Sequence, residues 1–69
     1  MEQGEIENRF TYHAPKGDQP KMYEELRSSA KVLANVINGL CPDSREASLA
    51  MTHLEETVFW ANAAIARRS

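Results

Sequence analysis

Apolar residues recur with helical spacing along two stretches of the chain. The positions in the first stretch are Leu26, Ala30, Leu33, Ile37 and Leu40. The positions in the second stretch are Met51, Leu54, Val58, Ala61 and Ile65. Alternating steps of three and four residues are typical of a helix that packs against another helix. The pattern therefore predicts two helices and no strand between them.

Capping residues set the bounds of the two predicted helices. Asp18 is a favourable N-cap, which predicts a first helix over about 19–40. Asp43 stands three residues before Glu46, the spacing of a capping box, which predicts a second helix over about 44–67. Since the connection between them is short, we expect an all-α fold in which they pair as an antiparallel hairpin.

The residues before the first predicted helix are different in character. Residues 1–8 are acidic and polar, which predicts a flexible tail. Polar and apolar residues alternate over 9–13, and the prolines that follow disfavour a helix, so 9–18 is predicted to be an extended arm. We therefore expect a single helical-hairpin domain over 9–69.

The two predicted helices carry more apolar surface than a hairpin can bury. Val32, Val36, Phe59 and Trp60 lie outside the two seams. A domain of 69 residues is marginally stable alone, and with one cysteine, Cys41, it forms no intrachain disulfide. We therefore expect the surplus apolar surface to be buried between chains in a homo-oligomer.

Charge and composition exclude several classes of function. The net charge is −2, which is unlike that of a protein that coats nucleic acid polymers or anionic membranes. No apolar run approaches the ~20 residues needed to span a bilayer. Together with the single cysteine, this predicts a soluble protein of a reducing cytoplasm that binds neither DNA, RNA nor membrane.

No group of residues has the pattern of a catalytic or metal site. Cys41 is an isolated thiol, His53 is interpreted as a solvated or interface histidine, and the adjacent Glu55 and Glu56 point about 100° apart on a helix. The glycines are isolated, so no loop is built to cradle phosphate. We therefore expect no enzyme activity, no metal and no cofactor.

The arm combines aromatic and basic residues in a pattern that suits nucleotides. Phe10 and Tyr12 alternate with polar residues, and Arg9, His13, Lys16 and Lys21 surround them. Aromatic rings stack on bases, and cationic side chains hold phosphates. The alternative is that the two aromatic rings clamp the arm onto the helices, and the sequence does not choose between these interpretations.

Three arginines outside the arm are further candidates. Arg27 lies on the polar side of the first predicted helix, where it could meet an aromatic loop of its own or a neighbouring chain. Arg67 and Arg68 close the second helix, where cations interact favourably with the helix C-terminus. In a symmetric oligomer the same arginines would form a ring suited to a ligand with several phosphates.

Two segments resemble a known family, the small phage anti-CBASS cyclic-nucleotide sponges. The first segment is Asn8-Arg9-Phe10-Thr11-Tyr12-His13-x-Pro15-Lys16, followed by Gln19 and Tyr23. The second runs from Ser44-Arg45-Glu46 through Leu54-Glu55 to Trp60-Ala61-Asn62-Ala63-Ala64-Ile65-Ala66-Arg67. The related anti-Thoeris sponges share the helical hairpin.

The resemblance implies a function and an assembly. Family members are homohexamers of helical hairpins that sequester cyclic nucleotides made by bacterial immune cyclases, cyclic dinucleotides such as cGAMP among them, without cleaving them. The chain would then block activation of CBASS effectors in the cytoplasm of the infected bacterial host. A sponge for the cyclic ADP-ribose signals of Thoeris remains an alternative, and so does a helical-hairpin adaptor that binds protein through its apolar faces.

The resemblance also implies site residues. Cyclic dinucleotides would sit between protomers, with Tyr12 stacking on a base and Arg27 reaching the phosphates. Lys21 is the other candidate for the basic position, and Phe10 is the second aromatic candidate.

Some members of the family also bind cyclic trinucleotides at a separate three-fold site. An arginine near the end of the second helix and a hydroxyl on the first hold the phosphates there. The candidates in this chain are Arg68 or Arg67 and Ser29 or Ser28.

Overall fold

The computed structural model describes residues 1–69 and contains three helices and no strand. The first, α1, covers Gln3–Phe10, α2 covers Gln19–Leu40, and α3 covers Arg45–Arg68. The start of α2 is hydrogen-bonded to the end of α3, and the two helices pack along their length. The predicted all-α fold with an antiparallel pair of long helices is therefore confirmed.

The bounds of α2 agree with the prediction, but its first turn is formed differently. Asp18 precedes the helix, yet its side chain makes no capping hydrogen bond. The Gln19 N–H instead donates to the carbonyl of Lys16 over 3.0 Å, and Gly17, with φ at +57°, supplies the left-handed turn between them. At the other end, the Cys41 N–H donates to the carbonyl of Ile37 over 2.9 Å.

The N-cap of α3 is Ser44 rather than Asp43. The Ser44 hydroxyl accepts from the Ala47 N–H over 3.1 Å and donates to the carbonyl of Pro42 over 2.9 Å. Ser44 has extended backbone angles, as an N-cap residue requires. The capping box that the spacing of Asp43 and Glu46 predicted is therefore wrong by one position, although the predicted start of the helix is close.

The N-terminal segment corrects the sequence analysis. Instead of a flexible tail over 1–8 and an extended arm from residue 9, the chain forms α1, and extended backbone begins only at Thr11. Side chains four residues apart support this helix. Gln3 donates to Glu7 over 3.1 Å, and Arg9 donates to Glu5 over 3.0 Å. The alternation over 9–13 was misleading because these pairs favour the helix through Phe10.

The protomer has no buried hydrophobic residue. It measures 45 × 29 × 13 Å, and 13 Å is little more than the diameter of one helix, so the helices form a single layer. The predicted seam of α2 is partly wrong, because Leu33 and Leu40 are exposed while Tyr23 and Ala34 are half-buried. The seam predicted for α3 is half-buried throughout.

The apolar residues predicted to lie outside the seams are uncovered. The exposed fraction is 64% for Val32, 46% for Val36, 61% for Phe59 and 71% for Trp60. Because burial of large apolar side chains is the main favourable contribution to folding, the isolated protomer gains little stability from these four residues. None of its helices is long and apolar enough to cross a membrane.

Candidate functional site

Three segments meet at the end of the hairpin opposite the turn: α1, the loop 11–18, and the last turn of α3. We call this region the open end. Gln19 is the one buried residue of the protomer and lies here, 5% exposed. Its side-chain amide donates to the carbonyl of Ile65 over 3.1 Å, and to the main-chain and hydroxyl oxygens of Ser69 over 3.2 Å each.

The same side chain also holds the loop. The Gln19 Oε1 accepts from the Lys16 N–H over 3.1 Å, while the Lys16 carbonyl accepts from the Gln19 N–H. Both hydrogen-bonding groups of the Gln19 amide are therefore used, as burial of a polar group requires. One side chain thus ties the loop to the last turn of α3, whose terminal carbonyls otherwise lack helical partners.

Ion pairs attach α1 to the same turn of α3. The Glu5 Oε1 lies 2.5 Å from Arg68 Nη2 and 3.0 Å from Arg9 Nε. Arg67 adds a longer contact of 3.4 Å to the carbonyl of Arg9. The hydrogen bonds from Arg68 and then from Arg9 lower the pKa of Glu5 below its ordinary value, and the hydrogen bond to Glu5 raises the pKa of Arg68.

An open groove combines arginines with aromatic rings at this end. We call it the arginine–aromatic groove, and its lining residues are Arg9, Phe10, Trp60, Ala63, Ala64, Arg67 and Arg68. Trp60, Ala63, Ala64 and Arg67 share one face of α3 because they are spaced by three, four and seven residues. That spacing is visible in the sequence, whereas the approach of Arg9 and Phe10 from α1 to the same face is not.

Tyr12 lies on the loop with its side chain 83% exposed. The loop is held on both sides of it: the His13 ring is 2.6 Å from the carbonyl of Asn8 at the end of α1, and Gln19 holds Lys16. Phe10 is also 83% exposed. The alternative that these two rings clamp the arm onto the helices is therefore wrong for the protomer, since neither ring is covered.

Arg27 lies in a different groove, between α2 and α3. That groove is lined by Arg27, Ala30, Lys31, Ala34, Met51, Leu54, Glu55, Val58 and Phe59. No groove of the protomer is lined by both Tyr12 and Arg27. Lys21, Ser28 and Ser29 are exposed on α2. The structure thus places Phe10 in one groove with Arg67 and Arg68, whereas Arg27 lines another groove and Tyr12 lines none.

The residues considered for catalysis are scattered. Cys41 is exposed at the turn end, and His53 lies 3.7 Å from Glu56 on the surface of α3. No group of three or more metal-ligating side chains lies together. The open end itself offers cationic forks that suit anions and uncovered aromatic rings that suit planar groups.

The fold defines a class: an all-helical hairpin domain whose aromatic and cationic side chains face outward. A family model described as the Acb2/Tad1 hairpin domain matches residues 2–66. The chain belongs to this family, that of the anti-CBASS and anti-Thoeris sponges, which are phage proteins that bind cyclic nucleotide signals. No curated protein and no solved structure matches the chain.

Proposed function

We propose that this protein is a phage anti-defence sponge that sequesters cyclic oligonucleotide messengers and so blocks activation of CBASS effectors. Its main ligands are cyclic dinucleotides such as cGAMP. Membership of the Acb2/Tad1 family supports a sponge for cyclic nucleotide signals. The observation that carries the finer proposal is Tyr12, an aromatic ring 83% exposed on a loop anchored at both sides.

The binding unit is a homo-oligomer, a hexamer as in the resemblance stated above. A protomer with no buried hydrophobic residue and with Phe59 and Trp60 more than half exposed gains stability when copies cover these faces. Closed symmetric assembly is the usual solution for a soluble homo-oligomer. Alanines on α3, including Ala63 and Ala64 beside Trp60, allow helices of different chains to approach closely.

The dinucleotide site lies between protomers. Tyr12 and Arg27 line no common groove of one chain, so a ligand that touches both is placed most simply with Tyr12 of one protomer and Arg27 of another. Tyr12 stacks on a base, a contact worth about 1–3 kcal/mol. Arg27, or Lys21 in its place, binds the phosphates, and two symmetry-related cations match the two phosphates of the ligand.

A second site for cyclic trinucleotides uses the end of α3. Arg68 or Arg67 binds phosphate there, and Ser29 or Ser28 supplies the hydroxyl. Arg68 is held by Glu5, so a phosphate oxygen would share or replace that carboxylate as its partner. Arg67 makes only a 3.4 Å contact to a carbonyl and is the less restrained of the two.

The ligand is held and not cleaved. The protein therefore acts stoichiometrically in the cytoplasm of the infected bacterium, without a metal or a cofactor. The test is to saturate the protein with cGAMP, remove free ligand, heat-denature the protein and analyse the released nucleotide by chromatography. Intact cGAMP in a fixed ratio to protein supports the proposal. Linear products would favour a phosphodiesterase. The absence of bound nucleotide would show that cGAMP is not a ligand of this protein.

A further inference from the structure

We propose that Gln19 is a positioning residue for the nucleotide site, because it anchors the loop that carries Tyr12 to the last turn of α3. Gln19 has no part in the contacts assigned to ligand above. The inference rests on the proposed function, since it concerns how Tyr12 is held for stacking. The geometry that supports it is independent of any ligand.

The burial of Gln19 is unusual for this molecule and for its residue type. Glutamine is mostly exposed in proteins, yet here it is 5% exposed in a protomer that buries no other residue. Three oxygens of Ile65 and Ser69 surround its amide nitrogen, and the Lys16 N–H reaches its amide oxygen. Burying a polar side chain is favourable only when such partners are present.

The loop has few other constraints. Over 11–18, the hydrogen bonds that reach outside the loop are those of the His13 ring with Asn8, of Lys16 with Gln19, and of the Asp18 carbonyl, which accepts from the Met22 N–H in the first turn of α2. Tyr12 lies directly before His13 in the sequence. Its other support is α1, which reaches the last turn of α3 through Glu5 and Arg68. Both supports of the Tyr12 loop therefore end on the same turn of α3.

This arrangement has a consequence for binding. An exposed ring on a free loop must be ordered when it stacks, and ordering a side chain or loop costs affinity. Gln19 reduces this cost because its amide holds Lys16 against α3, so that the loop is already partly ordered before the ligand binds. Loss of the Gln19 side chain should therefore lower affinity without removing any group that touches the ligand.

The variants follow from the hydrogen bonds. Gln19→Ala removes both ties. Gln19→Glu keeps the length and the acceptor for the Lys16 N–H, but loses the donors to Ile65 and Ser69. Gln3→Ala is the matched control, because Gln3 is the other glutamine of the chain, is exposed and bonds only to Glu7. Circular dichroism and oligomer mass, measured at low temperature, confirm that each variant is assembled.

A double-mutant cycle with Tyr12→Ala then tests the positioning role by calorimetry with cGAMP. Gln19→Ala should weaken binding about three- to tenfold when Tyr12 is present and should have little further effect when Tyr12 is alanine. Gln19→Glu should weaken binding in the same way, and Gln3→Ala should not. An equal loss in both Tyr12 backgrounds would show a general structural role and overturn the proposal, as would unchanged affinity.

Hydrogen exchange of the free protein separates this proposal from the proposed function. Amide exchange over 11–18 should increase in Gln19→Ala and stay unchanged in Gln3→Ala, while the middle of α2 keeps its protection. If the parent protein binds no cyclic oligonucleotide, the proposed function fails, and the exchange result alone decides whether Gln19 anchors the loop. Unchanged exchange over 11–18 would overturn the anchoring itself.

Discussion

The two ends of the hairpin are built from different kinds of contact. At the turn end the hydrogen bonds are local: Cys41 bonds to Ile37, and Ser44 bonds to Pro42 and Ala47. At the open end they join distant parts of the chain. Gln19 reaches Ile65, Arg67 reaches Arg9, and Arg68 reaches Glu5, over sequence separations of 46, 58 and 63 residues.

This difference indicates that the two ends have different structural roles. The turn end reverses the chain, and local capping is enough for that purpose. The open end fixes three segments relative to one another and leaves aromatic and cationic side chains at the surface. Changes at the turn end should therefore alter stability alone, whereas changes to the exposed aromatic and cationic side chains, or to the contacts that position them, should alter assembly or ligand affinity.

The largest effect is expected from Trp60→Glu. Trp60 is 71% exposed in the protomer and lies beside Phe10 and Arg67, so a carboxylate there should prevent the apolar faces of two chains from meeting. Light scattering should show a mass near that of one chain, and calorimetry should detect no cGAMP binding. Thr52→Glu, at an exposed polar position of α3, is the control. A variant that dissociates yet still binds would disprove a site between protomers.

Tyr12→Ala should have the next largest effect. Loss of base stacking, worth about 1–3 kcal/mol, corresponds to about a 5- to 150-fold weaker affinity for cyclic dinucleotide in calorimetry. Tyr12→Phe should retain most of the affinity because it keeps the ring. The oligomer mass should be that of the parent for both. Equal affinity of the alanine variant and the parent would show that Tyr12 does not contact the ligand.

Arg27→Ala should weaken binding by about tenfold, which corresponds to the lower end of the ~1.5–3 kcal/mol contributed by a hydrogen bond to a charged group. Arg27→Lys should recover part of this loss, because lysine keeps the charge but not the planar fork. The affinity should also fall as salt is raised, and this dependence should be smaller in Arg27→Ala. If Lys21→Ala shows the loss and Arg27→Ala does not, the basic position belongs to Lys21.

Ser44→Ala tests the turn end. Removing the N-cap of α3 should cost about 1 kcal/mol of stability, which lowers the melting temperature by about 4–8 °C at a fixed protein concentration. The affinity for cGAMP, measured well below the melting temperature, should not change. A change in affinity as large as that of Arg27→Ala would contradict the separation of the two ends.

The smallest effect is expected from Glu5→Gln. Because the pKa of Glu5 is lowered in the folded protein by Arg68 and Arg9, its contribution to stability is present above the ordinary carboxyl pKa of about 4.3. That contribution is lost as pH falls through the lowered value. The melting temperature of Glu5→Gln should therefore decline less steeply with acid over this range. Glu25→Gln is the control, and an unchanged slope in Glu5→Gln would show that the pair contributes nothing.

The sequence predicts the long helices better than it predicts the open end. Apolar spacing and the short connection defined α2 and α3 closely, because these signals are local. The helix α1 was missed because alternation over 9–13 outweighed the pairing of Glu5 with Arg9. The contacts of Gln19 could not be predicted, since they depend on how the antiparallel pair places the start of α2 beside Ile65 and Ser69.

The candidate site shows the same limit. Tyr12 was identified as an aromatic candidate from its setting among polar and basic residues, but the sequence did not decide whether its ring is covered. The arginine–aromatic groove joins residues from α1 and from the end of α3, which no local pattern places together. The aromatic and cationic candidates could therefore be identified from the sequence, but which of them lie together could be seen only in the folded chain.

Native mass spectrometry against a panel of cyclic di- and trinucleotides and cyclic ADP-ribose ligands measures the assembly and its ligand in one experiment. We expect a homohexamer that binds intact cyclic dinucleotide in a fixed number per assembly, with additional sites filled by cyclic trinucleotide. A hexamer that takes up only the cyclic ADP-ribose ligands would instead identify a sponge for Thoeris signals. A monomer that binds none of these ligands would contradict the proposed sponge function and favour a protein-binding adaptor.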